Sequence, residues 1–302
     1  MLERMRVDEF LSAVLSLAKP LEPLDLPLLD AHGATLASDV FAGDRLVLKA
    51  GTPIRSTQIG LAASIGLDHL PTRPLPRVVI LSAGPDLVEP GQPVSGQQEY
   101  ETNSWQLTTM VREIGGVGYR VHHIPDDEVE LKNVIEDQLV RADLLVLSGE
   151  RHDDSFDLIT RTLNQIGSVK MAELDIEGSG RHNFGTVGPD NTPVITLPGD
   201  PIAAYISMQL FVRPVIRTMF GAKEIHCPAV KARLEKSVND LSGKRNYLRA
   251  FISEDKNSVM ALSEQDEFLT LASANSLIAV TEGAKKLGGG EEVTVVLLPK
   301  IK

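Results

Sequence analysis

Residues 193–204 read PVITLPGDPIAA, an apolar run that stops at a Pro-Gly turn before a second proline opens a long helical pattern. Two earlier apolar runs stop in the same way: VVIL at 78–81 runs into Ser-Ala-Gly, and LLVL at 144–147 runs into Ser-Gly. Short apolar runs bounded by small residues are typical of buried strands that end in tight loops. We therefore expect a parallel sheet whose loops gather along one edge. In open α/β sheets that edge binds ligands, and helix N-termini there favour anions.

Between residues 77 and 221, strand and helix patterns alternate. The predicted elements are, in order, strand 78–81, helix 104–114, strand 119–124, helix 128–139, strand 144–147, helix 156–166, a β-ribbon at 169–174 and 185–187, strand 194–197 and helix 202–220. Asn103 is placed to cap the first helix, and Gly221 to end the last. This alternation predicts an α/β fold, with helices on both faces of a parallel sheet.

The segments before residue 77 and after residue 221 have different sequence patterns. In the first 76 residues we expect a helix at 7–18, a short helix and an exit turn within 28–40, a strand at 43–48 and a helix at 57–64. Prolines crowd residues 71–76 and mark a domain boundary. After residue 226, short β patterns predict a small antiparallel barrel or sandwich, with strands at 230–238, 248–253, 259–262, 277–280 and 293–298. The predicted domains are therefore 1–76, 77–225 and 226–302.

The composition excludes several classes of protein. The 302 residues carry a net charge of −11, which argues against a nucleic-acid binder because phosphate contacts need basic patches. The only cysteine, Cys227, leaves no intrachain disulfide and no Cys-rich zinc site. The chain shows no signal-peptide pattern and no apolar run of membrane-spanning length. We therefore expect a cytoplasmic protein that does not insert into a membrane.

A series of short motifs follows one order along nearly the whole chain. They are LLDAHG at 28–33, AGTP at 50–53, IGLAAS at 59–64, LVEPG at 87–91, YETNS at 100–104, IPDD at 124–127, Ser-Gly at 148–149, LPGDP at 197–201 and ASANSLI at 272–278. Together they resemble the molybdopterin molybdenumtransferase (MoeA) family and the related E domain of gephyrin. No single motif is decisive, but their number and order carry the resemblance.

The resemblance implies a homodimer that inserts molybdate into an adenylylated pterin dithiolene. It implies an elongated multidomain protomer, with a dimerising domain in 1–76, a molybdopterin-binding-like α/β domain in 77–225 and a β-barrel in 226–302. The implied ligand is molybdopterin or adenylylated molybdopterin, with Mg²⁺ if the chain is active.

The loops at the sheet edge supply the candidate cofactor-binding residues. These are Ser82, Gly84, Ser148, Gly149, Pro198 and Gly199, to which the resemblance adds Arg249 at a basic position of the family. Each loop residue could equally be a turn residue that only the backbone requires, and Arg249 a surface arginine. His152 beside Asp153 and Asp154 could suggest a metal site, but these polar residues are better explained as decorating and capping the next helix. We therefore assign no catalytic residue and no metal ligand.

Several departures from the family motifs fall where its chemistry would need acids or bases. Pro85 stands where the family has an aspartate, and Asp86 one place later need not point the same way. Ser155 replaces another acid, and Glu177 lies in the loop where the family has two lysines. Asp200 replaces a neutral amide. Hard cations need clustered carboxylates and phosphate needs lysine or arginine, so these changes weaken both kinds of site.

The family also carries a β-rich subdomain between the equivalents of Val40 and Gly43, where this chain has only two residues. These losses favour a catalytically impaired homodimeric scaffold. Such a scaffold would bind a short peptide of a cytoskeletal, cell-division or membrane-receptor protein in a groove between the α/β domain and the barrel, bordered by the helix after Pro201 and by Pro228. The alternative is an active molybdopterin molybdenumtransferase of molybdenum cofactor biosynthesis. Ligand binding without turnover, as in a storage protein, would be an intermediate case.

Overall fold

The computed structural model describes residues 2–121, 125, 127–149, 153–178, 180–263 and 267–298. Its strands are β1 (Leu2–Met5), β2 (Leu24–Pro27), β3 (Thr35–Leu36), β4 (Val40–Ala42), β5 (Arg45–Leu48), β6 (His69–Arg73), β7 (Arg77–Ser82), β8 (Leu87–Val88), β9 (Glu99–Tyr100), β10 (Val117–Arg120), β11 (Leu144–Ser148), β12 (Gly167–Leu174), β13 (Arg181–Val187), β14 (Thr192–Leu197), β15 (Ala229–Leu234), β16 (Asn246–Ile252), β17 (Ser258–Ala261), β18 (Ser276–Val280) and β19 (Glu292–Leu297). Its helices are α1 (Val7–Leu17), α2 (Ser56–Ser64), α3 (Asn103–Ile114), α4 (Glu128–Leu139), α5 (Asp153–Ile166), α6 (Pro201–Ser207), α7 (Arg213–Met219) and α8 (Glu267–Ser273).

A mixed seven-stranded sheet forms the centre of the α/β domain, in the order β1-β12-β13-β14-β11-β7-β10. The strands β14, β11, β7 and β10 run parallel, whereas β13 is antiparallel to both of its neighbours. β7 and β11 are almost entirely buried, as expected for central strands covered on both faces. The predicted α/β fold is confirmed, and the predicted β-ribbon forms the antiparallel part of this sheet. The strand predicted at 119–124 begins earlier, and residues 122–124 lie outside the described part of the chain.

Residues 2–17 belong to the α/β domain and not to the small domain, residues 24–73, that follows them. β1 pairs in parallel with β12, and Phe10 and Val14 of α1 are buried in the core of the α/β domain. The sequence analysis grouped these residues with the rest of 1–76, because an amphipathic helix does not reveal which sheet its apolar face covers. The remainder of that segment forms the small sheet β2-β6-β3, which has a core of its own with α2.

Two features of the small domain bear on the sequence predictions. The prediction of a short helix within 28–40 is wrong: residues 28–33 form turns, and β3 and β4 follow. β4 and β5 form a hairpin joined by two residues, Gly43 and Asp44, with Gly43 at φ +59°. A positive φ at this position suits the turns that match strand twist. The place where the resembled family inserts a subdomain is therefore closed by a short hairpin, whose register shifts between Val40 and Phe41.

The C-terminal residues form a closed barrel in the order β15-β17-β16-β18-β19. The sequence analysis did not decide between a barrel and a sandwich. The barrel closes because β15 pairs with β17 on one side and with β19 on the other. Its interior is aliphatic, with Leu234, Val259 and Val295 fully or almost fully buried.

The helix predicted over 202–220 forms with one irregularity. Asp200 caps its start, since one carboxylate oxygen accepts the N–H groups of Ile202 at 3.1 Å and Ala203 at 2.9 Å. A π-helical turn at Met208–Val212 separates α6 from α7, directly before Pro214. Proline has no N–H and its ring clashes with the preceding turn, so a wider turn relieves the conflict. No helix in the described ranges has the length and apolar character needed to cross a membrane.

A buried histidine joins α1 and α6 to the sheet. His182 on β13 is 0% exposed and packs against the rings of Phe10 and Phe211, with centroids 5.2 and 5.8 Å away. Its Nδ1 lies 3.3 Å from the Gly180 carbonyl oxygen and its Nε2 lies 3.1 Å from Ser207 Oγ. A carbonyl oxygen only accepts, so Nδ1 carries the hydrogen and Nε2 accepts from the serine. Burial lowers the pKa of His182 to about 4, although the Gly180 carbonyl opposes the shift.

We expect the protein to lose stability as the pH falls from about 6.5 to about 4. The unfolded chain takes up a proton at the ordinary histidine pKa of 6.5, whereas the folded chain does so only near 4. The contribution of His182 is therefore complete above pH 6.5 and is lost below it, up to about 3 kcal/mol. Urea denaturation between pH 7.5 and 4 measures this. His182→Gln should flatten the pH dependence, and the exposed control His32→Gln should not. Equal slopes for the wild type and His182→Gln would contradict the assignment.

Candidate functional site

The carboxyl ends of β7, β11 and β14 meet at one edge of the sheet, as predicted. Ser148 lies in register with Ser82 on one neighbouring strand and with Leu197 on the other. The hydroxyl oxygens of Ser82 and Ser148 are 3.1 Å apart, and both side chains are buried. Pro198 and Gly199 follow Leu197 directly. The structure therefore brings the predicted serines and the Pro-Gly turn together at this edge.

A cavity of about 180 Å³ opens beside the edge, which we call the small cavity. Gly149 and Gly199 are the predicted residues in its wall. The start of α3 supplies Asn103, and Phe268 belongs to α8, which connects the barrel strands β17 and β18. Gly84 is not part of this wall, and its N–H donates to the Pro125 carbonyl at 3.1 Å. The small cavity is therefore built by the α/β domain and closed on one side by the C-terminal domain.

A buried carboxylate that the sequence analysis did not single out holds this edge together. Glu101 is 1% exposed, and its carboxylate accepts from Ser82 Oγ at 2.7 Å and from both the N–H and the hydroxyl of Ser104. Arg120 on β10 lies 3.4 Å from the same carboxylate, donates to Ser104 Oγ at 2.6 Å and also binds Glu89. The only sequence signal was the position of Glu101 in the YETNS motif, which says nothing of its partners. We call these five residues the Glu101 network.

The start of α3 differs from the prediction in one respect. Asn103 does not cap the helix; it is the first helical residue, and the Glu101 carboxylate takes the N–H of Ser104 instead. The Asn103 side chain donates through Nδ2 to the Gly199 carbonyl at 2.8 Å. This bond joins α3 to the Pro-Gly turn after β14.

Arg249 lies apart from the other candidate residues. It is on β16 and lines a larger cavity of about 660 Å³ between the α/β domain and the barrel, the interdomain cavity. Lys236 and Asp200 share its wall. Gly199 lines the small cavity, so the turn after β14 contributes to both. The structure thus confirms one edge for the loop residues and places Arg249 across the cleft from them.

The loop that carries Glu177, where the family has two lysines, is hydrogen-bonded to the barrel. The Glu177 carboxylate accepts from the Ser242 hydroxyl, and the Glu177 N–H donates to the Arg245 carbonyl at 2.8 Å. Arg245 itself donates to the Tyr247 hydroxyl at 3.2 Å, and Tyr247 lines the interdomain cavity. Glu177 lines that cavity too, so a negative charge stands in the loop where the resemblance implies two lysines.

The residues at this edge do not fit a magnesium site. Mg²⁺ takes six oxygen ligands in octahedral geometry, usually one or two carboxylates together with waters and substrate phosphates. Glu101 is occupied by serine and arginine donors, Asp200 accepts two backbone N–H groups, and Pro85 offers no ligand. Across the described residues, no group of three or more His, Cys, Asp or Glu side chains could hold a metal ion. The metal alternative built on His152 and its neighbours lies outside the residues whose side chains are described.

Two family models match consecutive parts of the chain. Residues 79–218 match the "Probable molybdopterin binding domain" and residues 231–298 match the "MoeA C-terminal region (domain IV)". The boundary between the two matches falls between α7 and β15, where the α/β domain passes into the barrel.

The chain is similar to curated proteins along most of its length. "Molybdopterin molybdenumtransferase 1" of Mycobacterium tuberculosis is 30% identical over 277 residues, which span 89% of this chain and 65% of that protein. "Gephyrin" of Dictyostelium discoideum is 25% identical over 304 residues, which span 88% of this chain and 42% of that protein. The chain therefore spans about two thirds of the length of the transferase that it matches.

Solved structures share the fold. A "molybdopterin biosynthesis moea protein" from Pyrococcus horikoshii aligns with a TM-score of 0.83 at 18% identity, covering 98% of this chain and 99% of that one. A "Molybdenum cofactor biosynthesis protein" from Pyrococcus furiosus aligns with a TM-score of 0.74 at 23% identity, covering 98% and 100%. With both domain models matched in order on this fold, the chain belongs to the MoeA protein family.

Proposed function

We propose that this protein binds molybdopterin or adenylylated molybdopterin at the loop edge of its α/β sheet and holds it without inserting molybdate. One observation carries the proposal. The strand-end loops keep their cavities, while the Glu101 and Asp200 carboxylates there are committed to contacts within the protein. The similarity to "Molybdopterin molybdenumtransferase 1" supports a ligand of the molybdopterin class.

The two cavities offer complementary chemistry to such a ligand. Gly149 and Gly199 let a ligand approach the backbone of the small cavity closely. Across the cleft, Arg249 and Lys236 supply positive charge to the interdomain cavity, where a phosphate can be bound. The negative charges of Glu177 and Asp200 oppose that positive charge and weaken phosphate binding. We therefore expect the ligand to be bound without being held in the geometry that a reaction needs.

Binding and turnover are measured separately. We expect purified protein to bind adenylylated molybdopterin under anaerobic conditions, and AMP release with molybdate and Mg²⁺ to be no faster than without protein. Arg249→Met should weaken binding about tenfold, because a charge-assisted hydrogen bond is lost. The matched control is Arg233→Met, an exposed barrel arginine outside the interdomain cavity wall. AMP release above background would favour the transferase alternative, and absence of binding would overturn the proposal.

The proposal gives Glu101 a structural role. Glu101→Gln removes the charge that pairs with Arg120 while keeping the shape, and should lower the free energy of unfolding by about 3 kcal/mol. The partly exposed Glu89→Gln should cost about 1 kcal/mol, since solvent screens that pair. Urea denaturation gives both values. A stable Glu101→Gln variant that has lost only ligand binding would contradict the structural role.

A second function is favoured by the groove between α7 and the barrel. A cavity of about 420 Å³ lies there, walled by Pro228, Ile252 and Leu297, with Arg213 at its side. Nε and Nη1 of Arg213 are buried and have no hydrogen-bond partner within the described residues. Arg213 lines the cavity, and its positive charge favours a ligand that brings a carboxylate. We propose that this groove takes a short peptide with an acidic residue beside apolar ones, in a homodimeric scaffold of the gephyrin kind.

Calorimetry tests this second proposal. The peptides carry Asp or Glu beside Leu or Phe and are first selected for binding from a display library. We expect selected peptides to bind at least about tenfold more tightly than scrambled versions, and Arg213→Met to remove the difference because the acidic side chain loses its partner. Arg233→Met serves again as the control. Equal binding of selected and scrambled peptides would sink the proposal, and a monomer by light scattering would contradict the homodimer.

A further inference from the structure

The two walls of the interdomain cavity carry opposite charges. Glu177 and Asp200 line it from the α/β side, and Lys236 and Arg249 line it from the barrel side. Among the described residues of the wall, the α/β side contributes no lysine or arginine, and the barrel side contributes no aspartate or glutamate. An anion that enters this space is therefore attracted to one wall and repelled by the other.

Asp200 carries a charge that its helix cap does not require. The N–H groups of Ile202 and Ala203 both donate to the same oxygen, Oδ1. Asparagine has an equivalent Oδ1, and Asn and Asp cap helices about equally well. The Asp200 side chain is only partly buried and lines the cavity, so its charge acts on whatever occupies that space. The cap accounts for one oxygen of Asp200 and does not remove the negative charge.

The other carboxylate of this wall has a different task. Glu177 accepts from the Ser242 hydroxyl of the barrel, so a change at Glu177 also alters a bond between the two domains. The cap bonds of Asp200 lie within the α/β domain. The charge of Asp200 can therefore be removed while the cap and this bond between the domains are both kept.

We propose that Asp200 is a specificity-determining residue that keeps free tetrahedral oxyanions, molybdate among them, out of the interdomain cavity. The inference rests on the proposed function, in which Arg249 and Lys236 bind the phosphate of the ligand at the barrel wall. A second anion then has to lie against the opposite wall, beside Asp200, whose charge repels it. The ligand is held, and the oxyanion that would react with it is excluded.

The test uses inorganic anions, whose binding is measured from the rise in Tm at constant ionic strength. We expect Asp200→Asn to bind molybdate and sulfate about tenfold more tightly than the wild type, because a repelling charge is removed and the capping oxygen is kept. Asp200→Ser also keeps a capping oxygen and should show the same gain. Sulfate and molybdate share charge and shape, so a gain confined to one of them would count against electrostatic exclusion.

Asp127→Asn is the matched control. Asp127 is the N-cap of α4 and accepts the Glu130 N–H at 2.9 Å, but it is not in the cavity wall. It undergoes the same chemical change at the same helix position and should leave anion binding unchanged. A double variant, Asp200→Asn with Arg249→Met, should lose the gain because the attracting charge is gone. Circular dichroism establishes that each variant is folded.

The outcomes separate this inference from the proposed function. No gain in Asp200→Asn, an equal gain in Asp127→Asn, or a gain that survives Arg249→Met would overturn the role of Asp200, whereas binding of adenylylated molybdopterin by the wild type would still support the ligand-binding function. If the wild type does not bind that ligand, the ligand-binding function fails, and the anion comparison still decides whether Asp200 excludes oxyanions. A gain confined to the Asp200 variants and dependent on Arg249 supports the inference.

Discussion

The buried charge of Glu101 is the constraint on which the loop edge depends. Its carboxylate joins the end of β7, the first turn of α3 and the last residue of β10, through Ser82, Ser104 and Arg120. A buried carboxylate must keep its partners, because separating them leaves an uncompensated charge. The edge therefore has one arrangement, and the backbone of the loops around it is held for ligands to approach.

The same constraint underlies our proposal that the chain binds a ligand without transforming it. A carboxylate that ligates a metal or moves a proton must have oxygens free for that task, and the carboxylates of Glu101 and Asp200 are already used by the fold. On this proposal, the loop edge keeps its shape while these two carboxylates serve the fold. Binding needs shape and donors, whereas catalysis also needs groups whose charge is available in the transition state.

The barrel completes both cavities from the other side. Phe268 lies in the wall of the small cavity, and Arg249 and Tyr247 lie in the wall of the interdomain cavity. The Glu177 loop is bonded to the barrel at Ser242 and Arg245, so the two domains are joined along the cleft. A ligand that spans the cleft contacts both domains, and the distance between them decides which ligands fit.

The sequence by itself determined most elements of the α/β domain and the common edge of its sheet. Apolar runs with small residues at their ends predicted β7, β11 and β14, because burial and strand periodicity are properties of neighbouring residues. The tertiary structure alone decided that β1 joins the same sheet, that Glu101 is saturated, and that Asn103 bonds to Gly199. Those contacts join residues that are 19 positions apart for Ser82 and Glu101 and 96 apart for Asn103 and Gly199. Pairings over such separations leave no periodic signal in one sequence, so only the folded chain shows which donor meets which acceptor.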